Sequence, residues 1–125
     1  MAEKKKILII DDEKDFSHFI KLNLESTNKF EVATSATGKE GIILAKTNKP
    51  DLILLDIFMP EMDGSMVAER LLDDAATKDI PIVFLTALVT KRDVGAKGGV
   101  IGGRHVIAKP VTPDELISTI NSVLQ

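Results

Sequence analysis

Four apolar runs in this sequence each end in a residue that can do chemistry. Ile7-Leu8-Ile9-Ile10 runs into Asp11-Asp12, Leu52-Ile53-Leu54-Leu55 into Asp56, Ile82-Val83-Phe84-Leu85 into Thr86, and Val106-Ile107-Ala108 into Lys109-Pro110. A carboxylate is a competent nucleophile toward phosphorus, provided that the charge on the phosphoryl oxygens is neutralised as the group moves. Lys109 supplies a positive charge and Thr86 a hydroxyl donor, so the set reads as a phosphoryl-accepting site with Asp56 as acceptor. Asp11, Asp12 and Asp56 also repel one another. At about 4–5 Å each pair costs about 1 kcal/mol in water and several times that at low effective dielectric. A hard divalent cation offsets such repulsion, and Mg2+ suits the place, with Mn2+ as the alternative. Mg2+ binds through one or two carboxylates, keeps several waters and leaves room for phosphate oxygens. Any single Asp, Thr or Lys at a strand end is more often structural than reactive. Four of them closing four apolar runs in order is a far more specific signal.

Bringing these residues together requires parallel strands with their carboxyl ends on one edge. The runs are continuously apolar, as strands covered on both faces are, and helical periodicity fills the intervals between them. Phe16, Phe19, Ile20 and Leu24 predict a first helix after Asp15, and Phe30-Glu31-Val32-Ala33 a short strand. Thr37 caps a second helix carrying Ile42, Ile43 and Ala45, which Pro50 forbids from continuing. Met66, Val67, Leu71 and Leu72 mark a third helix. Thr112-Pro113-Asp114-Glu115 opens the last one with a capping Thr, Pro at the first helical position and Glu at the third. The pattern predicts an α/β fold: a doubly wound, five-stranded parallel sheet with ligands beyond the strands' carboxyl ends.

The window holding Gly95, Gly98, Gly99, Gly102 and Gly103 breaks this regularity. Each Gly costs about 0.8–1 kcal/mol relative to Ala in a helix interior, so five in one helix forgo roughly 4–5 kcal/mol. The expectation is an irregular loop after at most one short helix, capped within Thr90-Lys91-Arg92-Asp93 and ending near Ala96-Lys97.

Composition narrows the function classes. With 125 residues and 44% apolar content, the chain reads as one domain, residues 1–125, able to bury roughly two-thirds of its unfolded surface. A net charge of -3 gives no electrostatic footprint for nucleic acid, and Lys4-Lys5-Lys6 reads as a solvated flank. The four-residue run Ile7–Ile10 meets Asp11-Asp12-Glu13 and is too short for a signal core or a membrane span. The absence of cysteine fits a cytoplasmic setting and removes thiolate chemistry.

The segments Lys6–Glu13, Pro50–Gly64, Leu85-Thr86-Ala87 and Lys109-Pro110 together resemble the receiver domain of two-component response regulators, over nearly the whole chain. The resemblance implies a flavodoxin-like strand order, 2-1-3-4-5. It implies that Asp56 accepts a phosphoryl group from a histidine kinase or histidine phosphotransfer domain, and that the changed surface then engages a downstream protein. Asp12 and Asp56 would ligate Mg2+ with help from the Phe58 backbone carbonyl, and Asp11 would act through water. Thr86 and Lys109 would bind phosphoryl oxygens, and the Lys109-Pro110 peptide would be cis. The domain would be a phosphoacceptor that assists its own phosphorylation and dephosphorylation, not a metabolic enzyme. No effector segment is visible after Pro110, which fits either a stand-alone regulator or the receiver part of a longer protein.

The sequence also departs from the family pattern. Receivers usually carry Tyr or Phe three residues before the Lys, as a ring that follows the Thr hydroxyl inward. Val106 stands there, and His105, beside it, should face the other side as a surface or helix-contacting residue. The glycine-rich window falls where the fourth helix of the output surface belongs, which predicts a shortened or irregular helix and signalling through movement of that loop. Phe58 and Leu88 flank the path of hydrolytic water with apolar bulk, which predicts a long-lived aspartyl phosphate. Two other readings are weaker. A phosphohydrolase of the haloacid dehalogenase type needs an Asp two residues after the nucleophile, where this chain has Phe58. A pseudo-receiver that only binds proteins would not need every acceptor-site residue.

Overall fold

Continuous apolar character selects the central strands, and the computed structural model places them side by side. It describes residues 3–87, 99–101, 104–109 and 111–125. The strands are β1 (Lys5–Ile10), β2 (Phe30–Ser35), β3 (Leu52–Asp56), β4 (Ile82–Thr86), β5 (Gly99–Ile101) and β6 (Arg104–Ala108). The helices are α1 (Lys14–Glu25), α2 (Gly38–Asn48), α3 (Gly64–Leu72) and α4 (Pro113–Leu124). Five strands run parallel in the order β2-β1-β3-β4-β6. This is the 2-1-3-4-5 arrangement anticipated, with β6 as the fifth parallel strand.

Side chains alternate along each strand, so one apolar run supplies two cores. Ile7, Ile9, Leu52, Leu54, Val83, Leu85 and Ile107 pack with Ile20 and Leu24 of α1 and with Leu116 and Ile120 of α4. Leu8, Ile10, Ile53, Leu55, Phe84 and Val106 pack with Ala45 of α2 and with Val67, Ala68 and Leu71 of α3. Each fully buried Leu or Ile contributes about 1.5–3 kcal/mol, which makes these two layers the main support of the sheet.

The caps form as local chemistry dictates. The hydroxyl of Thr37 accepts from the Glu40 N–H and that of Thr112 from the Glu115 N–H, both at 3.2 Å. Asp63 caps α3 by accepting from the Met66 N–H at 3.0 Å. α2 stops where Lys49 turns left-handed, at φ 47°, immediately before Pro50. Within the edge strand β2, the Val32 N–H donates to Glu25 Oε2 at 3.2 Å.

Two expectations need correction. Residues 99–101 of the glycine-rich window are not irregular loop: they form β5, antiparallel to β6, with Gly99 opposite Val106 and Ile101 opposite Arg104. Glycine disfavours a helix there but does not prevent three residues from pairing with a strand already held by the sheet. The helical apolar faces were also drawn too wide. Phe19, Ile43, Met66 and Leu72 are 42–54% exposed, because each helix buries only the stripe that meets the sheet. His105 is exposed and Val106 buried, as strand alternation requires. The expected short fourth helix from Thr90 to Lys97, the role of Leu88 and the Lys109-Pro110 peptide geometry lie outside the described residues. Among the described residues, no helix is long and apolar enough to cross a membrane.

Candidate functional site

Parallel register brings the chemical residues to one edge. Ile10 is level with Leu55, Asp56 with Leu85, and Thr86 with Ala108, so each strand releases its polar residue within a step of its neighbour's. The pairing continues one residue past the strands: the Asp11 N–H donates to Ser35 O at 3.0 Å, the Ile57 N–H to Leu85 O at 3.1 Å and the Lys109 N–H to Thr86 O at 2.8 Å. These bonds hold in place the backbone that presents the side chains. The loop after Asp56 is pinned by the Gly64 N–H, which donates to Ile57 O at 2.7 Å. A Cβ on Gly64 would strike the Asp56 carbonyl and lie 2.7 Å from Ile57 Cα, so glycine at 64 is required by contact with the end of the acceptor strand. In the same loop Glu61 has φ 69°, with the Met62 N–H donating to Pro60 O at 2.8 Å.

One carboxylate oxygen from each of Asp11, Asp12 and Asp56 lies within 4.8 Å of the other two. Asp11 and Asp56 are buried, whereas Asp12 is exposed. Lys109 Nζ is 2.8 Å from Asp11 Oδ2, 2.8 Å from Glu13 Oε1 and 3.8 Å from Asp56 Oδ1. Its ammonium also sits 4.5 Å from the centre of the Phe16 ring. Burial pushes the Asp56 carboxyl up to about 6; the Asp11 charge, and to a smaller extent that of Asp12, push the same way, against Lys109 and the Phe58 N–H. Burial also raises Asp11, although Lys109 and the Glu13 N–H stabilise its anion. For Lys109, burial favours the neutral amine, but the hydrogen bonds to Asp11 and Glu13 outweigh it and raise its pKa. One ammonium thus faces the excess negative charge of four carboxylates, and every donor in the acidic cluster is a hard oxygen. That is the chemistry a divalent cation of the Mg2+ class fits.

Comparison with known proteins places this geometry in a family. The response regulator receiver domain family matches residues 7–121. The chain belongs to that family. Over 120 residues it is 36% identical to the DNA-binding dual master transcriptional regulator RpaA of Synechocystis, covering 96% of this chain and 49% of that protein. Over 119 residues it is 34% identical to Protein PilH of Pseudomonas aeruginosa, covering 95% of this chain and 97% of PilH. The chemotaxis protein CheY4 of Vibrio cholerae superposes with a TM-score of 0.83 at 27% identity, covering 98% of this chain and 100% of CheY4. The chain therefore spans about half the length of the transcriptional regulators it matches and nearly all of PilH. As a receiver domain it is a signalling domain of two-component type and not a metabolic enzyme.

The receiver fold brings together Asp11, Asp12, Asp56 and Lys109 among the residues singled out in the sequence, with Thr86 buried on the adjoining strand end. The Phe58 side chain is 56% exposed beside the site. Sequence reasoning missed the two further contacts of Lys109. Glu13 stood in the quoted Asp11-Asp12-Glu13 segment without a role, and Phe16 was assigned only to a helix face. Both contacts join residues far apart in the chain, and no local spacing signals them.

Proposed function

We propose that this receiver domain, residues 1–125, accepts a phosphoryl group on Asp56 from a phosphohistidine of a sensor kinase or phosphotransfer protein. In the transfer, an Asp56 carboxylate oxygen forms a bond to phosphorus as the P–N bond to the imidazole breaks, and the imidazole leaves with the bonding pair. The carrying observation is the meeting of three carboxylates within 4.8 Å with the Lys109 ammonium 3.8 Å from Asp56. Burial keeps water from competing for the acceptor, and Lys109 answers the charge on the phosphoryl oxygens. Thr86, at the end of the neighbouring strand, contributes its hydroxyl to a phosphoryl oxygen.

Asp12, Asp56 and the Phe58 carbonyl are the groups to hold Mg2+, with Asp11 acting through water. When bound, the ion neutralises phosphoryl charge and lowers the repulsion among the carboxylates. The phosphorylated domain changes its binding surface for a downstream protein, and with a net charge of -3 it does so without contacting nucleic acid itself. A cytoplasmic location is the setting that a chain without cysteine fits. The test is incubation with acetyl phosphate and Mg2+, read by intact mass. Wild type should gain the mass of one phosphoryl group and Asp56→Asn none; equal gain in both would refute the assignment.

A further inference from the structure

Lys109 is engaged on several sides, and one contact leads away from the acceptor. An ammonium has three N–H donors. Here one reaches Asp11 Oδ2 at 2.8 Å and another Glu13 Oε1 at 2.8 Å, while Asp56 Oδ1 stands off at 3.8 Å. Glu13 is the N-cap residue of α1, yet its side chain makes no capping bond to that helix. Its carboxylate is turned toward Lys109 instead, across 96 residues of sequence. The Glu13 side chain is 62% exposed, whereas those of Asp11 and Asp56 are buried. Glu13 is therefore a solvent-side partner of the lysine that belongs neither to the acidic cluster nor to the interior. The Phe16 ring, one turn along α1, flanks the same ammonium.

We propose that Glu13 is a positioning residue that restrains phosphoryl acceptance by holding the Lys109 ammonium on the α1 side of the site. The inference rests on the reading of Asp56 as acceptor. As an Asp56 oxygen bonds to the phosphorus of acetyl phosphate, the P–O bond to the acetyl group breaks and acetate leaves with the bonding pair. The phosphoryl oxygens then need the donors of Lys109 on the Asp56 side. A lysine drawn to Glu13 stands 3.8 Å from Asp56 and has to move against that attraction to bring its donors to the phosphoryl oxygens, and this adds to the barrier. Replacing Glu13 by Gln removes the charge, and Ala removes the contact as well. With Gln the ammonium is held by a neutral acceptor only, and with Ala it is free to turn to Asp56.

The test is single-turnover phosphorylation of the full chain by acetyl phosphate at saturating Mg2+, followed by intact mass. It compares wild type, Glu13→Gln and Glu13→Ala, each alone and combined with Lys109→Ala. The maximal rate should rise about fivefold in both Glu13 variants, the scale of releasing one partly exposed ion pair. The half-saturating acetyl phosphate concentration should not move. In the Lys109→Ala background the gain should vanish, because Glu13 acts through the lysine. A wild type that is phosphorylated on Asp56 while the Glu13 variants are unchanged or slower overturns this inference alone. So does a gain that survives removal of Lys109, or one carried by the half-saturating concentration, since either assigns the effect to repulsion of the donor. A wild type that takes up no phosphoryl group overturns both the acceptor assignment and this inference.

Discussion

Replacing Asp56 by Asn should make the metal-free protein more stable at neutral pH. The Asp56 carboxyl is pushed from 3.8 up to about 6 by burial and by the neighbouring carboxylates, and that balance already includes the attraction of Lys109. The side chain is 7% exposed, so solvent screens little of the effect. A difference of about two pH units corresponds to about 3 kcal/mol of unfavourable interaction in the ionised native state. The sign follows from proton binding. The folded protein holds this proton more tightly than the unfolded chain, so the penalty is complete above about pH 6, shrinks as pH falls and disappears below the unfolded value of 3.8. Urea unfolding followed by circular dichroism in EDTA should show Asp56→Asn more stable by about 3 kcal/mol at neutral pH and by about 1 kcal/mol near pH 4.5. Mg2+ at a hundred times its dissociation constant should add about 2.7 kcal/mol to wild type and much less to the variant. A variant no more stable than wild type at neutral pH, or an advantage that does not shrink with acid, would refute the electrostatic reasoning.

Other perturbations probe the surroundings of the acceptor. Gly64→Ala forces a Cβ against the Asp56 carbonyl and should cost about 1–3 kcal/mol in urea unfolding while slowing acetyl phosphate labelling. Glu61→Gly relieves a left-handed backbone at a non-glycine residue and should raise stability by about 0.5–1 kcal/mol in the same assay. Phe58→Asn places an amide able to order water beside the acceptor, and radiolabelled aspartyl phosphate should decay severalfold faster than in wild type. An unchanged half-life would remove Phe58 from the account of phosphoryl lifetime.

The strands and the acceptor edge were legible because they depend on short, contiguous signals. Ile7–Ile10 and Leu52–Leu55 are apolar without interruption, and a parallel sheet covered on both faces has few other sequence patterns. Asp56 and Lys109 could be joined because each closes such a run. What escaped reading depends on partners distant in the chain. The contact of Glu13 with Lys109 exists only after two strand ends have been brought together, and no spacing within Asp11–Phe16 encodes it. β5 depends likewise on β6, since Gly-Val-Ile has no strand pattern long enough to declare itself. Phe19 and Ile43 have helical spacing, yet whether such a residue is covered is decided by how far the sheet extends beneath its helix. Val106 is buried in the α2–α3 layer, where a valine fills the core without offering a ring to move.

Among the described residues, each margin of the parallel sheet is partly covered. On one side a glutamate side chain occupies the Val32 amide, and on the other a three-residue ribbon running backwards covers β6. Short or plugged margins are poor templates for an incoming chain, which disfavours growth into fibrillar aggregates.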